Sequence, residues 1–145
     1  MPELLIKNLN EQLVSEYDAI FNYLYHSARI QNDSIRKLFV DFSRQELEHA
    51  RMLIRYILNL CGQPFFIMPK VNQGQDEIQV LILSIAADES AVAKYSMIRQ
   101  ILDNPEYKEI IDRTIEEEKA HYRKLQEMLE KVKETYKART GEKQA

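Results

Sequence analysis

Six side chains capable of binding metals or moving protons stand where this 145-residue chain would be expected to place core hydrophobes: Glu16, Glu46, His49, Glu89, Glu118 and His121. Glu16 falls between Leu13 and Ile20 and seven residues before Tyr23. Glu46 comes four after Phe42 and seven before Leu53, and His49, three further on, faces the same way. Glu89 sits four after Ile85 and four before Ala93. Glu118 follows Ile115 by three, with His121 three beyond it and Leu125 seven beyond. Two Glu-x-x-His pairs and two single glutamates therefore point inward from four helical stripes.

Their chemistry is constrained by charge. Four carboxylates in one apolar layer carry −4, and burying an unpaired charge costs at least several kcal/mol. Like charges this close protonate rather than all ionise. Two divalent cations cancel the charge, and two neutral imidazoles complete the shell. Several oxygens with one nitrogen per metal suit iron or manganese better than a structural zinc site or an all-oxygen calcium site. A dinuclear metal site, with iron and manganese both open, is the reading that removes the cost. The competing reading is a structural bundle whose acids are solvated.

Four long segments must position these groups, about residues 3–31, 34–61, 76–102 and 105–139. Breaks fall at Gln31-Asn32-Asp33-Ser34, at the Gly- and Pro-containing stretch from Gly62 to Gln75, at Asp103-Asn104-Pro105-Glu106, and before a polar tail from about residue 136 that is expected to be loose. The apolar stripes are Leu9, Leu13, Ile20, Leu24 and Ser27; then Phe39, Phe42, Ala50, Leu53, Ile57 and Leu60; then Ile82, Ile85, Ala86, Ala93 and Met97; then Ile111, Ile115, Tyr122, Leu125 and Leu129. Glu16 and Glu46 are equidistant from the first turn, and Glu89 and Glu118 from the second. In two antiparallel hairpins each pair is level, so face-to-face packing gathers all six in one mid-height layer. The fold expected is one all-α domain over residues 1–145, an antiparallel four-helix bundle.

Composition agrees. The chain is 45% apolar and 30% charged, with three Gly and four Pro, too few for an all-β fold. A net charge of −3 gives no drive toward nucleic acid or an anionic membrane. The single Cys61 excludes an intrachain disulfide and a thiolate zinc cluster, and reads as a small apolar residue. Charges interrupt the first apolar stretch, which is therefore neither a signal peptide nor a membrane span, and a cytoplasmic location is expected. No internal repeat of short period appears.

The ligand pattern resembles the ferritin-like diiron-carboxylate family over about residues 3–135. The runs LNEQLVSEYDAIFNYLYHSARI and ELEHARMLIRYILNLCGQP are similar to stretches of bacterioferritin. The resemblance implies two iron ions as the cofactor, with manganese or zinc possible as isolated, and Glu16, Glu46, His49, Glu89, Glu118 and His121 as their ligands, with Glu46 and Glu118 as bridges and Tyr23 as a tyrosine beside the site. It also implies that residues 62–75 form a long crossover between the second and third helices. Leu47 occupies the position of the haem-ligating Met of bacterioferritins, so no haem is expected, and the short fifth helix of their 24-subunit cage has no counterpart. Rubrerythrins carry a further Glu where this chain has Val92, together with a rubredoxin module that one cysteine cannot supply. The expected activity is that of a stand-alone oxidoreductase that oxidises Fe(II) or reduces hydrogen peroxide or O2. Iron storage is the alternative.

A second stripe on the first helix, Tyr17, Phe21, Tyr25 and Ala28, predicts a homo-oligomeric contact, at least a dimer. An external electron-donor protein is a further expected partner; nucleic acid and membrane are not. His26 lies on neither ligand line and reads as a surface or interface residue.

Overall fold

The computed structural model describes residues 2–144, with side chains as far as residue 141. The described residues form four helices: α1 (Pro2–Arg29), α2 (Asp33–Asn59), α3 (Glu77–Ile101) and α4 (Pro105–Gln144). No strand occurs among the described residues, and no described helix is long and apolar enough to cross a membrane. Helix starts follow local chemistry. Asn32 Oδ1 accepts from the Ile35 amide at 3.1 Å, Asp76 Oδ1 from Gln79 at 2.8 Å, and Asn104 Oδ1 from Glu106 and Tyr107. α4 continues helically to Gln144, past the point near residue 136 where a loose tail was expected; Gly141 alone costs a helix only about 1 kcal/mol.

α1 packs mainly on α2 and α3 mainly on α4, with α1 against α3 and α2 against α4 closing the ring. The crossover decides the direction of the second hairpin. It runs up the outside of α1 and is held by a polar row on that helix. Asn10 donates to the Gln63 carbonyl at 3.0 Å and accepts from the Phe65 amide at 2.8 Å. Asn22 does the same for Lys70 and Asn72, at 2.9 and 2.7 Å. Asp18 accepts from the Lys70 amide, His26 meets Asn72, and Arg29 donates to the Gly74 carbonyl. The strap thus returns the chain to the α1 C-terminal end, and α3 descends antiparallel to α1. His26 is consequently buried beneath the crossover rather than at the surface, because Asn72 covers it. Tyr17 is likewise half-covered, with its hydroxyl on the Phe65 carbonyl and its ring stacked on Phe66.

The core is split into two clusters. One holds Leu9, Leu13, Leu53, Ile57, Tyr95, Ile98 and Ile111; the other holds Tyr23, Ile35, Phe39, Phe42, Leu81, Leu125 and Leu129. The polar layer lies between them.

α2 ends in a Schellman turn, in which the Gly62 amide reaches the Ile57 carbonyl at 2.9 Å and the Cys61 amide reaches Leu58 at 3.0 Å. Cys61 occupies the left-handed position at φ 60° and is exposed, so it serves as the helix stop rather than as apolar filling. Replacing it by the residue that favours this conformation should help: Cys61→Gly is expected to raise unfolding stability by roughly 0.5–1 kcal/mol in urea titrations.

Candidate metal centre

Five of the six sequence-derived residues converge. Glu16 comes from α1, Glu46 and His49 from α2, and Glu118 and His121 from α4; all are at most 4% exposed. Two overlapping quartets form, Glu16–Glu46–His49–Glu118 and Glu46–Asp88–Glu118–His121, in each of which one ligand atom per residue lies within 4.8 Å of the others. Glu46 and Glu118 belong to both.

The sixth expectation is corrected. Glu89 is exposed and faces an outer groove with Ile82 and Tyr122, while Asp88 takes the inward position on α3. The cause is a phase error of one residue, or about 100° of helix rotation. α3 is apolar on every side: Ile82, Leu83, Met97 and Ile101 are exposed, so hydrophobic periodicity does not define its inner face. The observed inner line is Leu81, Ser84, Asp88, Tyr95, Ile98 and Leu102, which mixes polar with apolar residues.

Another signal in the sequence would have found Asp88. Seventy-two residues separate Glu16 from Asp88, Tyr23 from Tyr95, Glu46 from Glu118, and His49 from His121. The same step carries the cap Asn32 to the cap Asn104. The bundle is thus a hairpin and its repeat, related by an approximate two-fold axis through the acidic layer. The tyrosines cross over accordingly: Tyr95 donates to Glu16 Oε1 at 2.8 Å, and Tyr23 reaches Asp88 Oδ1 at 3.4 Å. Tyr95, like Asp88, goes unnoticed when each helix is read separately.

The imidazoles share one orientation. Nδ1 of His49 faces Glu118 at 2.8 Å and Glu46 at 3.1 Å, and Nδ1 of His121 faces Glu46 at 3.0 Å. Each Nε2 points away, that of His49 to Glu117 Oε2 at 2.6 Å and that of His121 to the side-chain oxygen of Gln45. With the proton on Nε2, both Nδ1 lone pairs aim into the layer, as metal ligation requires. Phe42 stacks on the His121 ring at 4.1 Å and limits its rotation.

Three carboxylate oxygens, Glu16 Oε2, Asp88 Oδ2 and Glu118 Oε2, are buried without any hydrogen-bond partner, as is Gln12 Oε1. All four residues line one cavity of about 170 Å³ between α1 and α3, with Ser84, Ala87 and Ala91 forming much of the α3 wall. Orphaned acceptors at this depth each cost about 1–3 kcal/mol, more when charged, unless something donates to or coordinates them. Partnerless oxygens converging with two Nδ1 lone pairs fit a pair of cations.

Without metal the layer holds protons instead. Burial, reinforced by Glu46, raises Glu16 well above its usual value. Burial and the Glu118 and Glu46 charges push Asp88 up to about 9. Glu118 rises to about 8 through burial and Glu46, against the opposing hydrogen bond from His49. Burial acts against His49 holding its proton, but Glu118 and Glu46 outweigh it and lift the group to about 12. Burial also acts to raise Glu46, yet the adjoining Glu16 carboxyl and the hydrogen bonds with His121 and His49 prevail and hold it well below the usual carboxylate range.

The ferritin-like domain model matches residues 6–140. The chain is 42% identical to "Bacterial ferritin" of Paramagnetospirillum magnetotacticum over 76 residues, covering 50% of this chain and 46% of that protein. It is 23% identical to "Probable manganese catalase" of Clostridium acetobutylicum over 148 residues, covering 81% and 65%. The chain therefore spans less than two-thirds of either relative's length. Among solved structures, ferritin like, diiron-carboxylate proteins from Bacillus anthracis str. Ames match at TM-score 0.84 and 25% identity, over 88% of this chain and 96% of that one. A dodecameric thioferritin, the bacterioferritin-related protein from Bacteroides fragilis, matches in fold at TM-score 0.85 and 19% identity, over 95% and 91%.

The proton-laden layer predicts how metal affinity varies with pH. Asp88, Glu118 and His49 have folded values above their ordinary 3.8, 4.5 and 6.5. Their contribution to apo stability is full below those ordinary values and is lost as pH rises toward about 9, 8 and 12. Metal binding must expel the same protons. Loading with a divalent metal at pH 7 should release more than one proton per chain, measured by calorimetry in buffers of different ionisation enthalpy. The difference in melting temperature between loaded and apo protein should widen from pH 5 to pH 8.

Proposed function

Because the chain belongs to the ferritin-like domain family, we propose that its buried acidic layer is a carboxylate-bridged diiron centre with oxidoreductase activity, oxidising Fe(II) or reducing hydrogen peroxide or O2. The observation that carries this reading is the set of three partnerless carboxylate oxygens gathered between two quartets that share Glu46 and Glu118. Glu46 and Glu118, which belong to both quartets, would contribute to both metal positions; Glu16 and His49 would complete one position, and Asp88 and His121 the other. Bound iron would supply one electron per ion to the oxidant.

The chain's own residues would do the rest. The apolar clusters above and below keep bulk water from the layer, so the charge exchanged between ligands and cations is only weakly screened. The cavity between α1 and α3 gives a small oxidant room beside Asp88 and Glu16. Tyr95 orients Glu16, and Tyr23 holds a phenolic proton near Asp88, within the layer but outside the ligand set.

Storage is the second reading, favoured by the 42% identity to a bacterial ferritin over half the chain. Manganese is the alternative metal, favoured by the likeness to a manganese catalase. An external protein would supply electrons for turnover. Self-association would use the exposed apolar residues Phe21, Leu24 and Tyr25 of α1 with Phe66, Ile67 and Met68 of the crossover. Leu47, at the haem-Met position, points to solvent.

Anaerobic protein loaded with Fe(II) should oxidise two irons per chain on addition of peroxide, followed by absorption; faster reaction with peroxide than with O2 assigns the peroxidase role. Loading should also raise the melting temperature by about 10 °C, the shift expected for ~2.7 kcal/mol at a hundredfold excess over Kd. Glu46→Ala should abolish both effects, and a wild-type protein showing neither reduces to a structural bundle. Sedimentation should show an oligomer that Phe66→Glu dissociates; one too small to enclose a mineral core excludes storage.

A further inference from the structure

The approximate two-fold that relates the hairpins is broken at three places, and all three favour the same half of the layer. First, the residue behind each imidazole differs. Glu117 and Gln45 occupy equivalent positions seventy-two residues apart, yet one is a carboxylate and the other an amide. Glu117 can only accept, so it obliges His49 to carry its proton on Nε2 and leaves Nδ1 free to ligate. Gln45 can present either its oxygen or its NH2 group to His121 and so enforces neither tautomer. A charged acceptor also makes a hydrogen bond about twice as strong as a neutral one and adds electron density to the ring.

Second, the carboxylates opposite are not held alike. Glu16 receives two hydrogen bonds, from Tyr95 at 2.8 Å and from Gln12 at 3.0 Å. Asp88 receives one long contact, from Tyr23 at 3.4 Å, and the equivalent of Gln12 is Ser84. Third, Asp88 is one methylene shorter than Glu16 and extends less far into the layer.

We infer that the two metal positions are unequal: the position of Glu16 and His49 binds a divalent cation more tightly than that of Asp88 and His121, with Glu117 as the positioning residue responsible. This rests on the dinuclear reading above. Glu117 touches no metal; it acts through His49, and its side chain, 46% exposed on the outside of the bundle, can be changed without opening the core.

Titration with Co(II) alone, followed by visible absorption and by the imidazole N–H resonances of the full chain, tests this. Wild type should fill in two steps separated by at least about tenfold in affinity, the first shifting the His49 resonance before that of His121. Glu117→Gln should weaken the first step by about 10- to 100-fold and leave the second nearly unchanged. Gln45→Glu should tighten the second step by a similar factor. Glu116→Gln, which removes the same charge from an exposed neighbour, controls for long-range electrostatics and should alter neither step. Simultaneous shifts of both rings, prior filling at His121, or equal effects of the Glu117 and Glu116 variants would overturn the inference while leaving the dinuclear centre standing. Failure of the wild type to bind Co(II) would remove both.

Discussion

Everything in this bundle answers to one constraint: a layer of carboxylates crosses the middle of its core. Such a layer cannot be left ionised, dry and unpaired, since each lone charge would cost several kcal/mol. The core divides around it into two apolar clusters, and the helices supply local remedies. Two imidazoles face the carboxylates, Tyr95 and Gln12 fasten Glu16, and protons are retained on groups that would ordinarily have lost them. Three oxygens remain unpartnered even so. The layer is arranged for something positively charged that the polypeptide does not itself provide.

The internal two-fold explains how so specific a layer is built with little sequence. A helix–turn–helix hairpin carrying a carboxylate, a tyrosine one heptad later and a Glu-x-x-His is used twice, at a step of seventy-two residues. Antiparallel packing of α1 on α3 then places each tyrosine over the other hairpin's terminal carboxylate. The crossover is the element outside the repeat. It carries the chain back along α1 so that α3 runs antiparallel to that helix, and it is secured by asparagines whose amides each satisfy a backbone donor and a backbone acceptor of the strap. Those bonds replace the secondary structure that an extended segment would otherwise lack.

Much of the centre was legible in the residues alone. Glu16, Glu46, His49, Glu118 and His121 stood out because a charged group on an otherwise apolar stripe has few inexpensive explanations. Where the stripe was sharp, as on α2, the inner face followed from it directly. On α3 it was not sharp. Apolar residues surround that helix, so periodicity carries no phase there, and the pattern points to Glu89 where packing buries its neighbour Asp88. His26 illustrates the converse: its place outside the ligand lines was readable, but the strap that buries it was not.

Composition and spacing by themselves determined the helical class, the four segments and five members of the acidic layer, because each of these depends on interactions within a few residues or on a periodicity of one helix. Tertiary packing alone decided the rotation of α3, the direction of the second hairpin, the pairing of Tyr95 with Glu16 and of Glu117 with His49, and the convergence of orphaned oxygens on one cavity. These depend on which surfaces of different helices meet, and an amphipathic pattern encodes that a face is buried without encoding what it is buried against.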